Sequence, residues 1–314
     1  MDKLLILGIF LALAGGIANN SGALLQKYAI NKIPKEEKEK GFFKKLLKNP
    51  LWLLGLFLII VASGVLQMAA QWYIGGALIP GLLAIGMIVL TIGAVKILGE
   101  KMKLLEYLGI ALMIGGVVMI GFSSLEITDE DMTILTDKMF LIRFGIFTGV
   151  LFILWITSRQ IGKRVERGKT VFLAFGSSFP YAIANVWMQP MIFVATELFT
   201  GNASAFNITF FILSLGFLGV INIFGIAHLQ DAFKHGDASK VYPLGQIPQQ
   251  IGPIVLYYGI YLKTSPLSYS IYLLIAGAIT ILIAGFLLGA RQGQLEIMDL
   301  IESPKELENS NHEK

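Results

Sequence analysis

Runs of about twenty apolar residues, separated by short polar segments, follow one another along nearly the whole chain. A helix of about 20 apolar residues is long enough to cross the ~30 Å hydrocarbon core of a bilayer. Nine windows of this kind are predicted as membrane-spanning helices: 4–26, 51–73, 76–97, 103–123, 139–158, 170–198, 207–229, 240–262 and 266–290. The predicted fold class is therefore all-α, a polytopic membrane helix bundle.

No polar segment between these runs is long enough to fold as a soluble domain. Residues 1–314 are therefore predicted to form a single integral membrane domain, with 291–314 as its cytosolic tail. Composition agrees, because 55% of the residues are hydrophobic and only 15% are charged. The sequence has no cysteine, which excludes disulfides, thiolate metal sites and cysteine nucleophiles.

The positions of the basic residues predict how the chain is oriented. Most of the 25 lysines and arginines lie in 27–48, 96–103, 159–169 and 234–240 and in the tail. All of these segments share one side of the membrane if the first loop is cytoplasmic, as the enrichment of Lys and Arg on that side requires. We expect a multi-pass protein of the cell membrane, with its N-terminus outside and its C-terminus in the cytoplasm. A cleaved signal peptide is the alternative for the first span, but cleavage would move the lysine-rich first loop to the outer face.

Two parts of the chain resemble each other. The segment "GVLQ" (Gly64–Gln67) ends one apolar run and is followed by a span that opens at Pro80. The segment "GVIN" (Gly219–Asn222) is likewise followed by a span that opens at Pro243. The alternative is that any two apolar segments rich in glycine and proline look alike.

We interpret the likeness as an internal repeat, with about four spans in 1–123 and about five in 139–290. In the predicted topology the matching spans run in opposite directions. Inverted repeats of this kind are typical of secondary transporters, whose substrate site lies near the bilayer midplane between the repeats.

The stretch "YPLGQIPQQIGP" places three glutamines and three prolines inside a predicted span. On a helix, one stripe holds Tyr242, Gln246, Gln249, Gln250, Pro253 and Tyr257. Amide side chains are costly in lipid, and the prolines release backbone carbonyls, so this stripe is predicted to face a polar cavity. The alternative is that the glutamines only join neighbouring helices and that the prolines only bend the span.

Polar residues of other predicted spans could meet the same cavity. The predicted substrate-binding residues are Asn20, Gln67, Asn222, Gln246, Gln249, Gln250 and Tyr257. The predicted helix-bending or gating residues are Pro80, Glu100, Pro243, Pro248 and Pro253. An aromatic wall is expected from Trp72, Tyr73, Tyr181, Trp187, Tyr257 and Tyr258.

The charge pattern of the spans limits the chemistry of the cavity. No Asp, Glu, Lys, Arg or His lies at the centre of a predicted span. A neutral cavity suits a small polar or zwitterionic solute, or an ion that keeps part of its water shell. Metal-ligating residues stay unknown, no cofactor is expected, and no catalytic set is found, so an enzyme is not expected. The expected partners are membrane lipid and a small-molecule or ion substrate, without nucleic acid; a homodimer stays open.

The unit from Pro80 through "LGEKMK" to the glycines at 109, 115, 116 and 121 resembles the closing unit of the drug/metabolite transporter superfamily, the EamA-like proteins. The second half repeats the unit from Pro243, with Lys263 where a glutamate would stand. Nine spans, a lysine-rich first loop and "ANNSGALLQKYAI" resemble the NIPA-type magnesium transporters. This resemblance implies transport of Mg²⁺ and sometimes of other divalent cations.

The function predicted from the sequence is secondary transport, by alternating access, of a small polar solute or a divalent cation, with Mg²⁺ as the leading ion. Export or import of a small organic metabolite or drug is the alternative. An intramembrane enzyme and a receptor that transports nothing are remote alternatives, which a flux measurement would separate from transport.

Overall fold

The structure, a computed structural model, describes residues 3–34, 41–74, 78–125, 135, 137–201 and 204–312. Its helices are α1 Lys3–Asn31, α2 Phe42–Leu46, α3 Pro50–Phe57, α4 Ser63–Ile74, α5 Ile79–Ala84, α6 Met87–Lys96, α7 Leu104–Phe122, α8 Lys138–Arg164, α9 Lys169–Phe199, α10 Ala205–His235, α11 Ala238–Val255 and α12 Ser270–His312. One π-helical turn, Leu58–Ala62, joins α3 to α4, and a second, Leu256–Ile260, continues α11. The predicted all-α membrane bundle is confirmed.

Eight helical segments among the described residues are long and apolar enough to cross a membrane. They are Leu4–Asn31, Pro50–Gln71, Ile79–Lys96, Leu104–Phe122, Lys138–Arg164, Lys169–Phe199, Ala205–His235 and Ser270–Met298. The remaining predicted span, 240–262, is helical as α11 and its π-helical turn but is more polar than the others. α11 packs against α9, α12 and α6, and many of its residues are buried by these neighbouring helices.

Three helices, α3, α8 and α10, are capped at their start by a side chain from the preceding residue. Asn49 accepts hydrogen bonds from the first backbone N–H groups of α3, at Leu51 and Trp52. Asp137 caps α8 and Ser204 caps α10 in the same way. Such caps satisfy N–H groups that have no partner inside the helix. α11 differs, because Asp237 precedes it without capping it.

The first and second halves of the chain pack together through small residues. A Cβ atom on Gly116 of α7 would lie 2.8 Å from the carbonyl oxygen of Gly277 in α12. A Cβ atom on Gly277 would lie 2.7 Å from the carbonyl oxygen of Gly116. Only glycine at both positions lets the two backbones approach this closely. α7 and α12 therefore form one firm contact between the halves.

The two ends of the bundle differ in their chemistry. At one end, here called the basic end, α1 and α10 finish, α7 and α11 begin, and the Lys27 ammonium donates to the carbonyl oxygens of Phe233 and Gly236. At the opposite end Ser270, which starts α12, donates to the carbonyl oxygen of Ser123 after α7. These contacts therefore show how five helices run between the two ends of the bundle, namely α1, α7, α10, α11 and α12.

Candidate functional site

A cavity of about 890 Å³ lies between helices of the first and second halves. That volume falls within the roughly 300–1,000 Å³ of small-molecule sites. Its polar lining residues are Asn19, Asn20, Gln26, Gln67, Gln71, Ser178, Tyr181, Asn185, Asn222, Tyr242, Gln246, Gln249, Gln250 and Tyr257. None of the described lining side chains is charged.

The structure brings all of the predicted substrate-binding residues to this one cavity, namely Asn20, Gln67, Asn222, Gln246, Gln249, Gln250 and Tyr257. Among the predicted helix-bending residues, Pro80 and Pro253 also line it. Pro243 and Pro248 are buried inside α11, away from the cavity. Pro80 lies in the first turn of α5, while the interruption of that span falls at Ile85 and Gly86. The roles of these residues in binding and bending stay predictions.

The predicted aromatic wall is only partly found. Tyr181 and Tyr257 line the cavity, whereas Trp187 packs among phenylalanines of α8 and α10 and donates to Thr148 Oγ1. Tyr73 packs beside Gly8 of α1, and Tyr258 bonds to Ser265. The prediction is therefore wrong for these last three residues, because rings at the edge of the bundle find neighbours outside the cavity. The Trp72 side chain lies outside the described part of the chain.

Several lining amides use their NH₂ group in the same way. Each donates to a group four residues earlier on its own helix: Asn20 to Gly16 O at 2.9 Å, Asn222 to Leu218 O at 2.8 Å, Gln249 to Gly245 O at 3.3 Å and Gln67 to Ser63 Oγ at 2.7 Å. A backbone carbonyl can only accept, so the first three partners fix which end of the amide is nitrogen. The carbonyl oxygens of these amides are left available as acceptors.

Asn20 holds the most confined of these amides. Its side chain is 3% exposed, and its Oδ1 atom has no hydrogen-bond partner among the described residues. A Cβ atom on Gly86 would lie 2.2 Å from Gly16 O and 2.6 Å from Asn20 Nδ2. Gly86, at the break between α5 and α6, is therefore in close contact with α1, and this contact restricts the position of the Asn20 amide.

Hydrogen bonds also cross between the halves beside the cavity. The Tyr242 hydroxyl of α11 donates to Asn19 Oδ1 of α1. Deeper in the bundle, Trp52 Nε1 donates to Gln230 Oε1 at 2.9 Å, and Gln230 Nε2 donates to Gln26 Oε1 at 2.8 Å. An indole N–H is only a donor, so it sets the direction of this relay. Gln230 was not predicted from the sequence, because it directly follows the predicted span 207–229.

The N-terminus of α11 is capped by a residue from the first half. Glu100, 8% exposed, accepts from the backbone N–H groups of Ala238 at 2.7 Å and Ser239 at 3.1 Å. Its second oxygen also accepts from the Ser239 hydroxyl at 2.6 Å. A carboxylate is stabilised at a helix N-terminus by the free N–H groups and the helix dipole. Glu100 therefore does not line the cavity but ties the halves together at the basic end.

A buried ion pair lies beside that cap. Lys240 Nζ is 2.8 Å from Glu106 Oε1, and both side chains are 0% exposed. Lys240 also contacts Asp237 at 2.8 Å, and Arg291 Nε lies 3.8 Å from Glu106. From the sequence, Lys240 was predicted only to be one of the basic residues on the cytoplasmic side. Glu106 was the available signal, since a lone carboxylate in an apolar span needs a buried partner.

The described residues contain no group of three or more His, Asp or Glu side chains that could hold a metal ion. A cation that enters the cavity would therefore meet amide and hydroxyl oxygens there. Such neutral oxygens suit a hard cation, most readily one that keeps much of its hydration water.

A polytopic helix bundle with a polar cavity between its two halves is the architecture of a multi-pass membrane transporter. The family model of the magnesium transporter NIPA matches residues 3–294, and the chain belongs to this family. The family lies within the drug/metabolite transporter superfamily of EamA-like proteins, as the resemblance implied. Mg²⁺ is accordingly a candidate substrate. No curated protein and no solved structure matches the chain.

Proposed function

We propose that this protein is a secondary transporter that carries Mg²⁺ through the cavity by alternating access. The observation that supports this most is the asymmetry of the cavity. Its lining reaches Ile79 at the start of α5 and Leu125 beyond α7, both at the end opposite the basic end. Towards the basic end it stops at Gln26 and Tyr242.

Contacts between the halves begin directly beyond those last lining residues. Lys27 follows Gln26 and binds the end of α10, while Lys240 precedes Tyr242 by two residues and binds Glu106. Together with the cap made by Glu100, these contacts form a seal at the basic end. The cavity is closed off at the basic end, while its lining extends to the opposite end. This is the geometry expected of one state of an alternating-access carrier.

The orientation follows from the positive charge. Because the segments rich in Lys and Arg lie at the basic end, we assign that end to the cytoplasm and the chain to the cell membrane, with the N-terminus outside. In this assignment the structure is closed to the cytoplasm and accessible from outside. Release inside would require the seal to open and the opposite end to close.

The internal repeat gives a physical route to that exchange. We take 1–123 and 139–290 as inverted units that rock about the cavity, while the firm contact of α7 with α12 is kept. The substrate-binding role is assigned to Asn20, Gln67, Asn222, Gln246, Gln249, Gln250 and Tyr257. Enzymatic activity is not part of the proposal, because transport needs no covalent step.

Flux into proteoliposomes tests the proposal. Purified protein is reconstituted into vesicles that contain a Mg²⁺ indicator, and external Mg²⁺ is added. We expect uptake that saturates with Mg²⁺ and is absent from protein-free vesicles. Since the volume also admits an organic solute, amino acids, purines and cationic drugs are tested in parallel; saturable flux of one of these without Mg²⁺ flux would replace the proposed substrate.

A further inference from the structure

We infer that the cavity binds its cation with the water shell still attached, through amide oxygens, and that Asn20 Oδ1 is one of the accepting atoms. This inference rests on the proposed function and specifies the form in which the ion is bound. It follows from which atoms the cavity offers, how they are held, and how much space they enclose.

The cavity wall is rich in acceptors. The NH₂ groups of Asn20, Asn222 and Gln249 are directed to backbone carbonyls of their own helices. Their carbonyl oxygens are therefore turned away from those helices, and Gln67 is held similarly by Ser63. These residues come from α1, α4, α10 and α11, so acceptors stand on several sides of the same cavity.

A surface of acceptors fits a ligand whose own surface consists of donors. The water molecules around a metal cation turn their oxygens to the ion and their hydrogens outward. Mg²⁺ gives up these waters reluctantly and, when it does so in proteins, usually binds one or two carboxylates directly. The described lining residues offer amides and hydroxyls instead. The first shell of water is therefore the part of the ion that they can bind.

The size of the cavity agrees with a hydrated ion. Six waters at ~30 Å³ each take up roughly 180 Å³, which the cavity of about 890 Å³ accommodates with room for further water. A bare ion would contact only a few of the amides at once. The waters of a hydrated ion can donate to amide oxygens on several helices at the same time.

Asn20 Oδ1 is the atom that most needs such a ligand. It is buried without a hydrogen-bond donor among the described residues, although it belongs to a residue that lines the cavity. A buried acceptor without a partner is unfavourable. The contact of Gly86 with Asn20 Nδ2 and Gly16 prevents the amide from turning to another partner. A water of the ion's shell supplies the missing donor.

The experiment uses complexes that cannot lose their ligands during the assay. Hexaamminecobalt(III) and the dication chloropentaamminecobalt(III) carry N–H donors outward, as a hydrated ion carries O–H donors. Each is added to the Mg²⁺ uptake assay, with tetramethylammonium, which has no N–H, as the control cation. We expect both complexes to compete with Mg²⁺, raising its apparent KM at constant maximal rate, and tetramethylammonium to have no effect.

The variant Asn20→Leu tests the role of the single oxygen. We expect it to weaken competition by hexaamminecobalt(III), and the apparent affinity for Mg²⁺, by about fivefold to tenfold. Thr91→Val is the matched control, because it removes a buried hydrogen bond to the residue four positions earlier, while the Thr91 side chain itself does not line the cavity. Thermal unfolding in detergent, with and without hexaamminecobalt(III), measures binding even where a variant transports slowly.

The outcomes separate this inference from the proposed function. Absence of Mg²⁺ uptake by the wild type contradicts the proposed function itself. Mg²⁺ uptake that resists both cobalt complexes overturns the inference, because the ion must then be recognised after losing water. Competition by tetramethylammonium but by neither cobalt complex also overturns it, in favour of an organic cation. Equal effects of Asn20→Leu and Thr91→Val remove Asn20 from the site.

Discussion

Lys240 and Glu106 form an ion pair of 2.8 Å in which neither side chain is exposed. The pair joins α11 of the second half to α7 of the first, next to the helix cap made by Glu100. Two charges removed from water require each other, because their attraction offsets a desolvation cost of several kcal/mol per ion. The contact between the two halves at the basic end is therefore sensitive to the relative position of α7 and α11.

Replacing one member of this pair is expected to destabilise the protein strongly. Lys240→Met leaves Glu106 with the Lys103 backbone N–H and with Arg291, at 3.8 Å, and we expect a loss of about 3–5 kcal/mol in the free energy of unfolding. The double variant Lys240→Met/Glu106→Gln removes both charges and is expected to recover most of that loss. Thermal unfolding in detergent measures both.

The control for this pair is Lys163→Met, at an exposed lysine in the last turn of α8. We expect it to change stability by no more than about 0.5 kcal/mol. A double variant as unstable as the sum of the two single variants would show that the charges are not coupled.

Glu100 is expected to control which end of the cavity is accessible. Glu100→Ala removes the cap of α11, a change of about 1 kcal/mol, and should raise access from the basic end about fivefold. Since the natural chain has no cysteine, Gln246→Cys provides a single reporter inside the cavity. Its rate of labelling by an impermeant maleimide is measured from each side of the membrane.

Glu296→Ala is the matched control for Glu100→Ala. Glu296 accepts from the backbone N–H groups of Gly168 and Thr170 at 2.7 and 2.8 Å. It therefore caps α9 with the same chemistry, but within the second half of the chain. We expect it to lower stability without changing the side from which the reporter is labelled; equal shifts for both variants would contradict a gating role of Glu100.

The contact of α5 and α6 with α1 is expected to tolerate no side chain at Gly86. A Cβ atom there would meet the backbone oxygen of Gly16 at 2.2 Å, and backbone cannot turn aside. We expect Gly86→Ala to lower the free energy of unfolding by about 1–3 kcal/mol. We also expect it to reduce transport, because the added Cβ atom displaces the Asn20 side chain. Gly64→Ala, where no atom of the described residues lies within 4 Å of the added Cβ, should be neutral or stabilising by up to ~1 kcal/mol. Unfolding temperatures of the two variants that do not differ would contradict the close contact.

The glutamines of α11 are expected to be needed for transport and not for folding. Gln249→Leu/Gln250→Leu removes two lining amides that are only half-buried, so we expect a folded protein whose Mg²⁺ uptake is lost. Gln294→Leu, on an exposed part of α12 outside the cavity, serves as the control. Uptake by the double variant at the wild-type rate would remove these residues from the substrate site.

The assigned orientation predicts which cysteine reporters are reached from outside. Lys44→Cys lies in α2 on the basic side, and Lys138→Cys lies at the start of α8 on the other; both positions are exposed. In intact cells an impermeant maleimide should label position 138 and leave position 44 unlabelled until the membrane is permeabilised. The reverse pattern would invert the topology and, with it, the direction in which the cavity opens.

The fold could be predicted because its signal is local. Each apolar run is long enough to cross the membrane, and backbone groups in lipid must be satisfied within a helix. The stripe from Tyr242 to Tyr257 likewise follows from helical spacing, and its members that were predicted to face a cavity do line one. The same reasoning missed Gln230, because an amide directly after the predicted span 207–229 does not indicate where its partner lies.

The sequence by itself determined that apolar helices follow one another along the chain, which segments carry the positive charge, and the polar stripe of α11. These are properties of consecutive residues and of their preference for lipid or water. Only the tertiary structure decided that Glu100 caps α11, that Lys240 pairs with Glu106, and that Gly86 presses against Asn20. Those contacts join residues from distant parts of the chain, and their energy depends on distances of a few ångströms that helical spacing does not fix.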